Sequence, residues 1–271
     1  MKICVNIACG DSYLVNWLNF DFSPHSSSVR KANLLDRLPL DNEVADVVYS
    51  SHFIEHIPRD MVSDFVSECH RITKSGGHLR IVLPDWQELC TTYLTLREGE
   101  NHEQADFLLM EMLDQCVRRF PGGELGAYYK SLQDDSVHIE MIDFVYSRTG
   151  HNLNTSQEND LEHNFWERLI ANPKRILSKL EAYYVRLILT LLPSAFRTQN
   201  VSLTEVGEKH AWMYDYYTVK QILLNAGYKN VQRMTANSSN IPDFPFDPLD
   251  MYKNGMPRKG SESMYIEAIK V

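Results

Sequence analysis

The sequence has no glycine-rich phosphate loop. Its 271 residues include 12 glycines, and none of them forms G-x-G-x-x-G, the pattern that lets pyrophosphate rest against exposed backbone N–H groups at a helix N-terminus. This argues against an NAD-dependent enzyme. Cysteine is also scarce. Cys4, Cys9, Cys69, Cys90 and Cys116 are odd in number and show no CxxC spacing, so neither a disulfide framework nor a zinc ribbon is indicated, and a reduced, cytoplasmic compartment is expected. Positive charge is short as well: 27 Lys and Arg face 36 Asp and Glu, for a net charge of -9. That balance disfavours a nucleic-acid partner, whose phosphates need cationic neutralisation.

Long apolar runs are missing too. The most apolar stretch, 182–196, is interrupted by Arg186 and Pro193 and is shorter than the roughly 20 residues that span a bilayer. No integral membrane segment is expected. The stretch reads as a helix face packed on the core, with a lid, a dimer contact or a membrane-surface face as alternatives. The chain opens on Ile3-Cys-Val-Asn-Ile7 without a secretory leader pattern.

What is present is alternation of strand and helix signals. Strands are expected at 2–8, 17–22, 29–34 and 44–51, the last nearly continuous in apolar residues, as suits a strand buried on both faces of a parallel sheet. After Pro58, apolar residues recur at Met61, Val62, Phe65, Val66, Cys69 and Ile72, the spacing of an amphipathic helix. Ser75-Gly-Gly77 ends that helix, and a strand at 78–83 follows. Residues 86–209 turn helical and irregular, with candidate helices near 86–98, 102–119, 160–171 and 174–192. A helix at 217–226 closed by Gly227, strands at 228–235 and 264–271, and a Pro-rich loop at 241–259 complete the chain. The expected fold is therefore α/β: a doubly wound, Rossmann-like sheet, mostly parallel with an antiparallel last strand, plus a large helical insertion. The expected division is a cofactor-binding half at 1–85, a helical substrate-recognition insertion at 86–209 and the C-terminal part of the core at 210–271.

Small residues at Ala8, Gly10 and Ser12 directly follow the first strand, where a cofactor could approach the backbone. A nucleoside cofactor without phosphates would need only such a turn and an acidic residue after the second strand to hold ribose hydroxyls. Asp21 suits that role and could equally be a strand-end turn residue. It follows Gly10 by 11 residues, against roughly 20 in a dinucleotide unit, so the first helix must shrink to about a turn.

The ordered set Asn6-Ile-Ala-Cys-Gly10, Trp17-Leu-Asn-Phe-Asp21, the 33–39 segment, Asp46-Val-Val-Tyr-Ser-Ser-His-Phe-Ile-Glu-His56 and Arg71-Ile-Thr-Lys-Ser-Gly-Gly77 resembles the class I S-adenosylmethionine-dependent methyltransferases. Within them it is similar to the small, glycine-poor branch, type 11-like, found in bacterial surface-polysaccharide gene clusters. The resemblance covers 3–85 and resumes at Glu208-Lys-His-Ala-Trp-Met-Tyr-Asp215 and Ser263-Met-Tyr-Ile-Glu-Ala-Ile-Lys270. It implies S-adenosyl-L-methionine as cofactor. Ala8, Cys9 and Gly10 would pass beneath its methionine part, Asp21 with Phe22 would lie at the ribose, Asn33 and Leu34 would face the adenine, and Ser51 and His52 would sit beside the sulfonium. Ala8 stands where the family has its first glycine and Asn33 where an aspartate is common.

Transfer of a methyl group to a hydroxyl asks the protein to position the nucleophile and accept its proton. His52 and His210 are the candidate catalytic bases. His52-Phe-Ile-Glu-His56 also spells the inverted zinc-peptidase pattern, but Pro58 breaks the helix that such a site needs and no third ligand is evident, so no metal is expected and His56 reads as a helix-start residue. His138, His151 and His163 read as surface or cap residues, Asp134-Asp135 as a solvated turn, and Tyr128-Tyr129 and Tyr183-Tyr184 as either sugar-stacking or core pairs. The expected activity is O-methylation of a sugar or sugar-linked intermediate, with a small-molecule or glycan acceptor as the partner and self-association left open. The alternatives are N-methylation of an amine or phosphorylated small molecule, and cofactor binding without catalysis.

Overall fold

A computed structural model describes residues 2–134, 139–153, 183–185, 187–202, 204 and 207–271. The strands are β1 (Cys4–Ile7), β2 (Leu18–Asp21), β3 (Val29–Lys31), β4 (Ala45–Ser51), β5 (Thr73–Pro84), β6 (Tyr228–Met234) and β7 (Ser263–Lys270). Among the described residues they form one seven-stranded sheet in the order β3-β2-β1-β4-β5-β7-β6. β1 pairs in parallel with β2 and β4, β2 with β3, and β4 with β5. β7 runs antiparallel between β5 and β6. This is the expected sheet, with its last strand reversed.

Alternation of side chains along the strands divides two cores. One face carries Val5, Ile7, Val48, Leu79 and Ile81 against the helices α1 (Val62–Ile72) and, further along the chain, α7 (Tyr216–Asn225). The apolar positions of α1, Val62, Phe65, Val66, Cys69 and Ile72, are all buried, at the helical spacing read in the sequence. The opposite face, with Cys4, Val47, Tyr49, Val82 and Tyr265, is covered by irregular chain: Trp17, Ala236, Ile241, Phe244 and Leu249. Between β1 and β2 the chain forms turns and no helix, closed by Ser12 N–H to the Cys9 carbonyl at 2.9 Å and Trp17 N–H to the Leu14 carbonyl at 3.0 Å.

Two local boundaries differ from the sequence reading. β5 begins at Thr73, so Ser75-Gly-Gly77 lies inside the strand and meets a register shift between Ala45 and Val47, as a glycine pair in a strand often marks. β3 stops at Lys31, because residues 32–36 turn back through an Asp36 N–H bond to the Asn33 carbonyl.

The insertion supplies α2 (Trp86–Glu98), α3 (His102–Val117), α4 (Gly123–Asp134), α5 (Ile139–Thr149) and α6 (Ser194–Asn200). α4 and α5 carry no strong sequence signal but pack a small core of Phe107, Leu125, Leu132, Met141 and Val145, which includes Tyr128 and Tyr129 against the Phe107 ring. The expected helix at 160–171 and most of that at 174–192, with His138, Asp135 and His163, lie outside the described residues. The 182–196 stretch is not packed on the core: Tyr183, Tyr184, Val185, Leu187, Ile188, Leu191 and Phe196 are exposed.

One set of bonds ties the helices of the insertion together, and another ties the insertion to the chain before β7. Buried Arg148 donates to Glu111 at 2.7 Å and to both carboxylate oxygens of Glu88 at 3.1 and 2.9 Å. The chain after α5 also runs beside residues 258–262, where Ser261 and Glu262 donate backbone N–H groups to the Ser147 and Arg148 carbonyls, both at 3.1 Å. Gly260 makes this approach feasible, since it has φ +54 and a Cβ there would strike the Arg148 carbonyl. Among the described residues no helix is long and apolar enough to cross a membrane.

Candidate functional site

The carboxyl ends of β1, β2 and β4 lie side by side, where open α/β sheets bind ligands. After β1 the backbone turns through two left-handed residues, Ala8 (φ 57) and Gly10 (φ 49), and open space lies over the Gly10 Cα. Alanine tolerates this conformation at a cost, whereas a larger residue at position 10 would be strained. Asp21, at the end of β2, closes the turn: one carboxylate oxygen accepts from Gly10 N–H at 3.0 Å and the other from Ser23 N–H at 2.9 Å. Each oxygen keeps a lone pair for a diol. Asp21 is thus both a turn residue, as one reading of the sequence had it, and a partly exposed acceptor at the strand edge.

The other expected cofactor residues divide into lining and packing positions. Cys9 is buried, and burial together with nearby Asp21 pushes its thiol up to about 12, which leaves it a small apolar lining. Phe22 packs against Phe53 at 6.1 Å between ring centroids. Asn33 is exposed and bonds Asp36 at 2.6 Å and Leu35 N–H at 3.3 Å. Leu34 is 1% exposed within the main core, so only its backbone is left to face an adenine. Asn6 beneath the turn donates to the Ser12 carbonyl, and its own side-chain oxygen is buried without a partner.

Ser51 ends β4, and His52 follows with φ 50, a left-handed turn that directs the chain away from the sheet. Ser263 Oγ donates to the Lys259 carbonyl at 3.3 Å and therefore accepts at 2.9 Å from His52 Nε2–H. The His52 Nδ1 lone pair then faces Glu55 at 3.4 Å. The single 3-10 turn Ile54–His56 places Glu55 inward. Its backbone carbonyl accepts from Ala211 N–H at 2.7 Å and Trp212 N–H at 3.2 Å, while the His56 Nδ1–H donates to the Lys209 carbonyl at 2.9 Å. These bonds bring the 207–215 loop across the end of β4. His210, also tied to the Gln115 carbonyl of α3 through its backbone N–H, stacks edge-on against His56 at 4.8 Å.

The structure therefore assembles both expected bases, His52 and His210, in one buried group with Glu55 and His56. Burial lowers the proton affinity of all three histidines, bringing His210 to about 3, and raises Glu55 to about 8. At neutral pH the imidazoles are therefore uncharged. Burial likewise lowers the ammonium of Lys259 and raises the carboxyl of Glu262, the two groups approaching from the loop before β7.

Several residues of the site gave no signal in the sequence. Arg258 reaches Ser12 at 2.7 Å, beside the β1 turn, from the far end of the chain. Trp86 and Trp212 flank a cavity of about 760 Å³ that is also lined by His56, Cys116, Lys209, His210, Ala211 and Met213. The basic pair Arg258-Lys259 within a Pro-rich loop was the available hint for the first, and the Trp212 position within the 208–215 match for the second.

Residues 5–81 match the family described as a methyltransferase domain. These residues contain β1 to β4, the β1 turn, Asp21 and the His52–His56 run. This segment therefore resembles a methyltransferase domain. No curated protein matches its sequence. Among solved structures it is similar to a methyltransferase of Archaeoglobus fulgidus, with 12% identity over 99% of this chain and 86% of the other, TM-score 0.42. Another is a methyltransferase of Thermotoga maritima, with 13% identity over 100% and 83%, TM-score 0.41. S-adenosylmethionine, when bound, would supply a methyl group on a sulfonium, already activated for displacement. The β1 turn fits a phosphate-free nucleoside of this kind, since it offers an open backbone cradle and a carboxylate with spare lone pairs where a dinucleotide site would present glycine N–H groups.

Proposed function

We propose that this chain is a methyltransferase that O-methylates a sugar or sugar-linked intermediate, with Ala8, Cys9, Gly10 and Asp21 seating the cofactor, His52 bordering the reacting centre and His210 taking the proton of the acceptor hydroxyl. The observation that carries the acceptor class is the cavity lined by Trp86 and Trp212 together with His56 and His210. Exposed indole faces bind the apolar C–H faces of sugar rings, and Trp212 is held in place from outside by Arg59, whose guanidinium lies 4.4 Å from the ring centroid. Among the described residues lining the cavity none is acidic. The nearest carboxyl, Glu55 beside His56, is raised by burial to about 8, so an ammonium acceptor would meet no counter-charge at neutral pH, whereas a neutral hydroxyl needs none.

Of the two candidate bases, His210 has the free nitrogen. Its Nδ1 is buried without a partner, while both ring nitrogens of His52 face Ser263 or Glu55. The resemblance of the glycine-poor motif to the branch from surface-polysaccharide gene clusters supports the same acceptor class and a cytoplasmic site of action. Trp212→Ala is expected to raise KM for sugar acceptors about 10-fold, the equivalent of about 1.4 kcal/mol, with kcat changed much less. The measurement is steady-state methyl transfer to a panel of nucleotide-linked sugars, free sugars and amines. Turnover confined to amines, or a KM indifferent to Trp212, would remove the sugar reading.

A further inference from the structure

We propose that Glu55, His56 and His210 bind one divalent transition-metal ion, such as Zn²⁺, beside the tryptophan-flanked cavity that His56 and His210 line. One ligand atom from each of the three lies within 4.8 Å of the other two. Two imidazole nitrogens and one carboxylate oxygen are the donor set of open, three-ligand metal sites, which leave a position for water or substrate.

The burial of unanswered polar atoms is the independent observation. Glu55 is 1% exposed and His210 7% exposed, yet both carboxylate oxygens of Glu55 and the Nδ1 of His210 are buried without a hydrogen-bond partner. Buried polar atoms nearly always have partners, because leaving them unpaired costs of order 1–3 kcal/mol each. Here the orphans converge, and one cation answers them together. His56 is oriented for this task. The Lys209 carbonyl at 2.9 Å takes its Nδ1–H, which fixes the tautomer and leaves the Nε2 lone pair 3.9 Å from Glu55. A backbone acceptor behind a ligating imidazole is the usual second-layer support of such sites. Tetrahedral ligands about 2.1 Å from the metal sit about 3.4 Å apart, so side-chain rotations of about 1 Å close the site.

Read from the sequence, the H-x-x-E-H run lacked both helical length and a third ligand. The fold supplies the ligand differently: the second histidine of the run and its glutamate are joined by His210 from the far side of the insertion, and the first histidine, His52, contacts Glu55 from outside at 3.4 Å. The proposal rests on reading the cavity as the acceptor site, and it gives the His210 Nδ1 to the ion, so that His210 acts as a ligand in place of the base. An acceptor hydroxyl in the open coordination position would bind through oxygen. Its O–H bond then breaks more readily, with the electron pair kept on the metal-bound oxygen and the proton leaving to cavity water.

The experiment uses the full-length, tag-free protein stripped by a chelator, titrated with Zn²⁺ and examined by Co²⁺ absorption, with melting curves for every variant. One equivalent of Zn²⁺ and the intense visible bands of tetrahedral Co²⁺ are expected. His56→Asn and His210→Asn should each weaken Zn²⁺ binding by about 100-fold or more, and His102→Ala, on the exposed start of α3, should leave it unchanged. If His210→Asn fails to fold, His56→Asn carries the test alone. Absence of stoichiometric Zn²⁺ binding to the wild type, or binding that survives in the folded double variant, overturns the proposal. Stripped protein that binds S-adenosylhomocysteine and transfers methyl groups at full rate also overturns it and leaves the proposed methyl-transfer function standing. Activity lost on stripping and restored by the ion supports the metal site and the methyl-transfer function, and replaces His210 as base with His210 as ligand.

Discussion

His210→Ala is expected to lower the single-turnover rate of methyl transfer by about 100- to 10,000-fold, the usual loss when a general base is removed, with affinity for S-adenosylhomocysteine nearly unchanged. The argument is one of placement. His210 is pinned through its backbone N–H to α3 and lies in the loop that the Glu55 carbonyl draws across the end of β4. Its ring lines the tryptophan-flanked cavity with His56, and its Nδ1 is buried without a hydrogen-bond partner. It is therefore distant in role from the Ala8–Gly10 turn and from Asp21, and its loss should act on the reaction and spare cofactor binding. His52→Ala should behave differently. His52 follows β4 directly and bonds Ser263, so its removal is expected to affect cofactor affinity and rate together. Single-turnover transfer, calorimetric titration and melting curves of the two variants separate these outcomes. A His210→Ala protein that stays folded, binds cofactor and turns over at near-wild-type rate would rule out His210 as the base.

Arg80→Met is expected to destabilise the fold by about 3–5 kcal/mol, as when one partner of a buried ion pair is removed and the other is left uncompensated. Arg80 is fully buried on β5. It donates to Asp250 at 2.8 Å, to Glu267 at 2.6 Å, and to the Ser238 and Thr235 carbonyls, both at 3.0 Å. Its guanidinium also lies between the Phe244 and Tyr265 rings, 4.7 and 5.2 Å from their centroids. Tyr49 donates to the same Asp250 at 2.7 Å. Burial already raises the carboxyl of Asp250 and Arg80 opposes that rise, so a methionine would leave two buried carboxylates facing each other. These contacts fasten the 235–251 chain over the face of the sheet opposite α1 and α7, and this chain leads on to Arg258, Lys259 and Ser263. The midpoint of urea unfolding should fall accordingly, and cofactor affinity should fall with it as the 258–263 wall loosens. A loss below about 1 kcal/mol would mean that the network is not what holds this face.

Much of this was legible in the sequence, for reasons that differ by residue. The strands β1 and β4 are buried on both faces and are rich in apolar residues, nearly continuous in β4, and α1 buries every third or fourth residue; both patterns are local. Gly10, Asp21 and His52 fall at strand ends that those patterns locate. Arg258 beside Ser12 and Arg80 beside Asp250 are contacts between distant segments, which no local pattern encodes. The same is true of the meeting of Glu55 and His56 with His210, and it explains why the run at 52–56, judged alone, lacked a ligand. The 182–196 stretch misled because apolar content predicts burial only when another element is there to cover it; its described residues remain exposed. α4 and α5 were missed because their own patterns are weak and their packing partners lie in α3.

The central claim, that the β1 turn and Asp21 seat the cofactor, is tested most directly by calorimetric titration of S-adenosylhomocysteine into the wild type and Asp21→Ala. The wild type should bind one equivalent. Asp21→Ala should bind about 1.5–3 kcal/mol more weakly, as expected for lost hydrogen bonds to a charged group, because the variant loses the diol acceptor together with the bonds to Gly10 and Ser23. Equal affinity in the folded variant, or no binding by the wild type, would contradict the account.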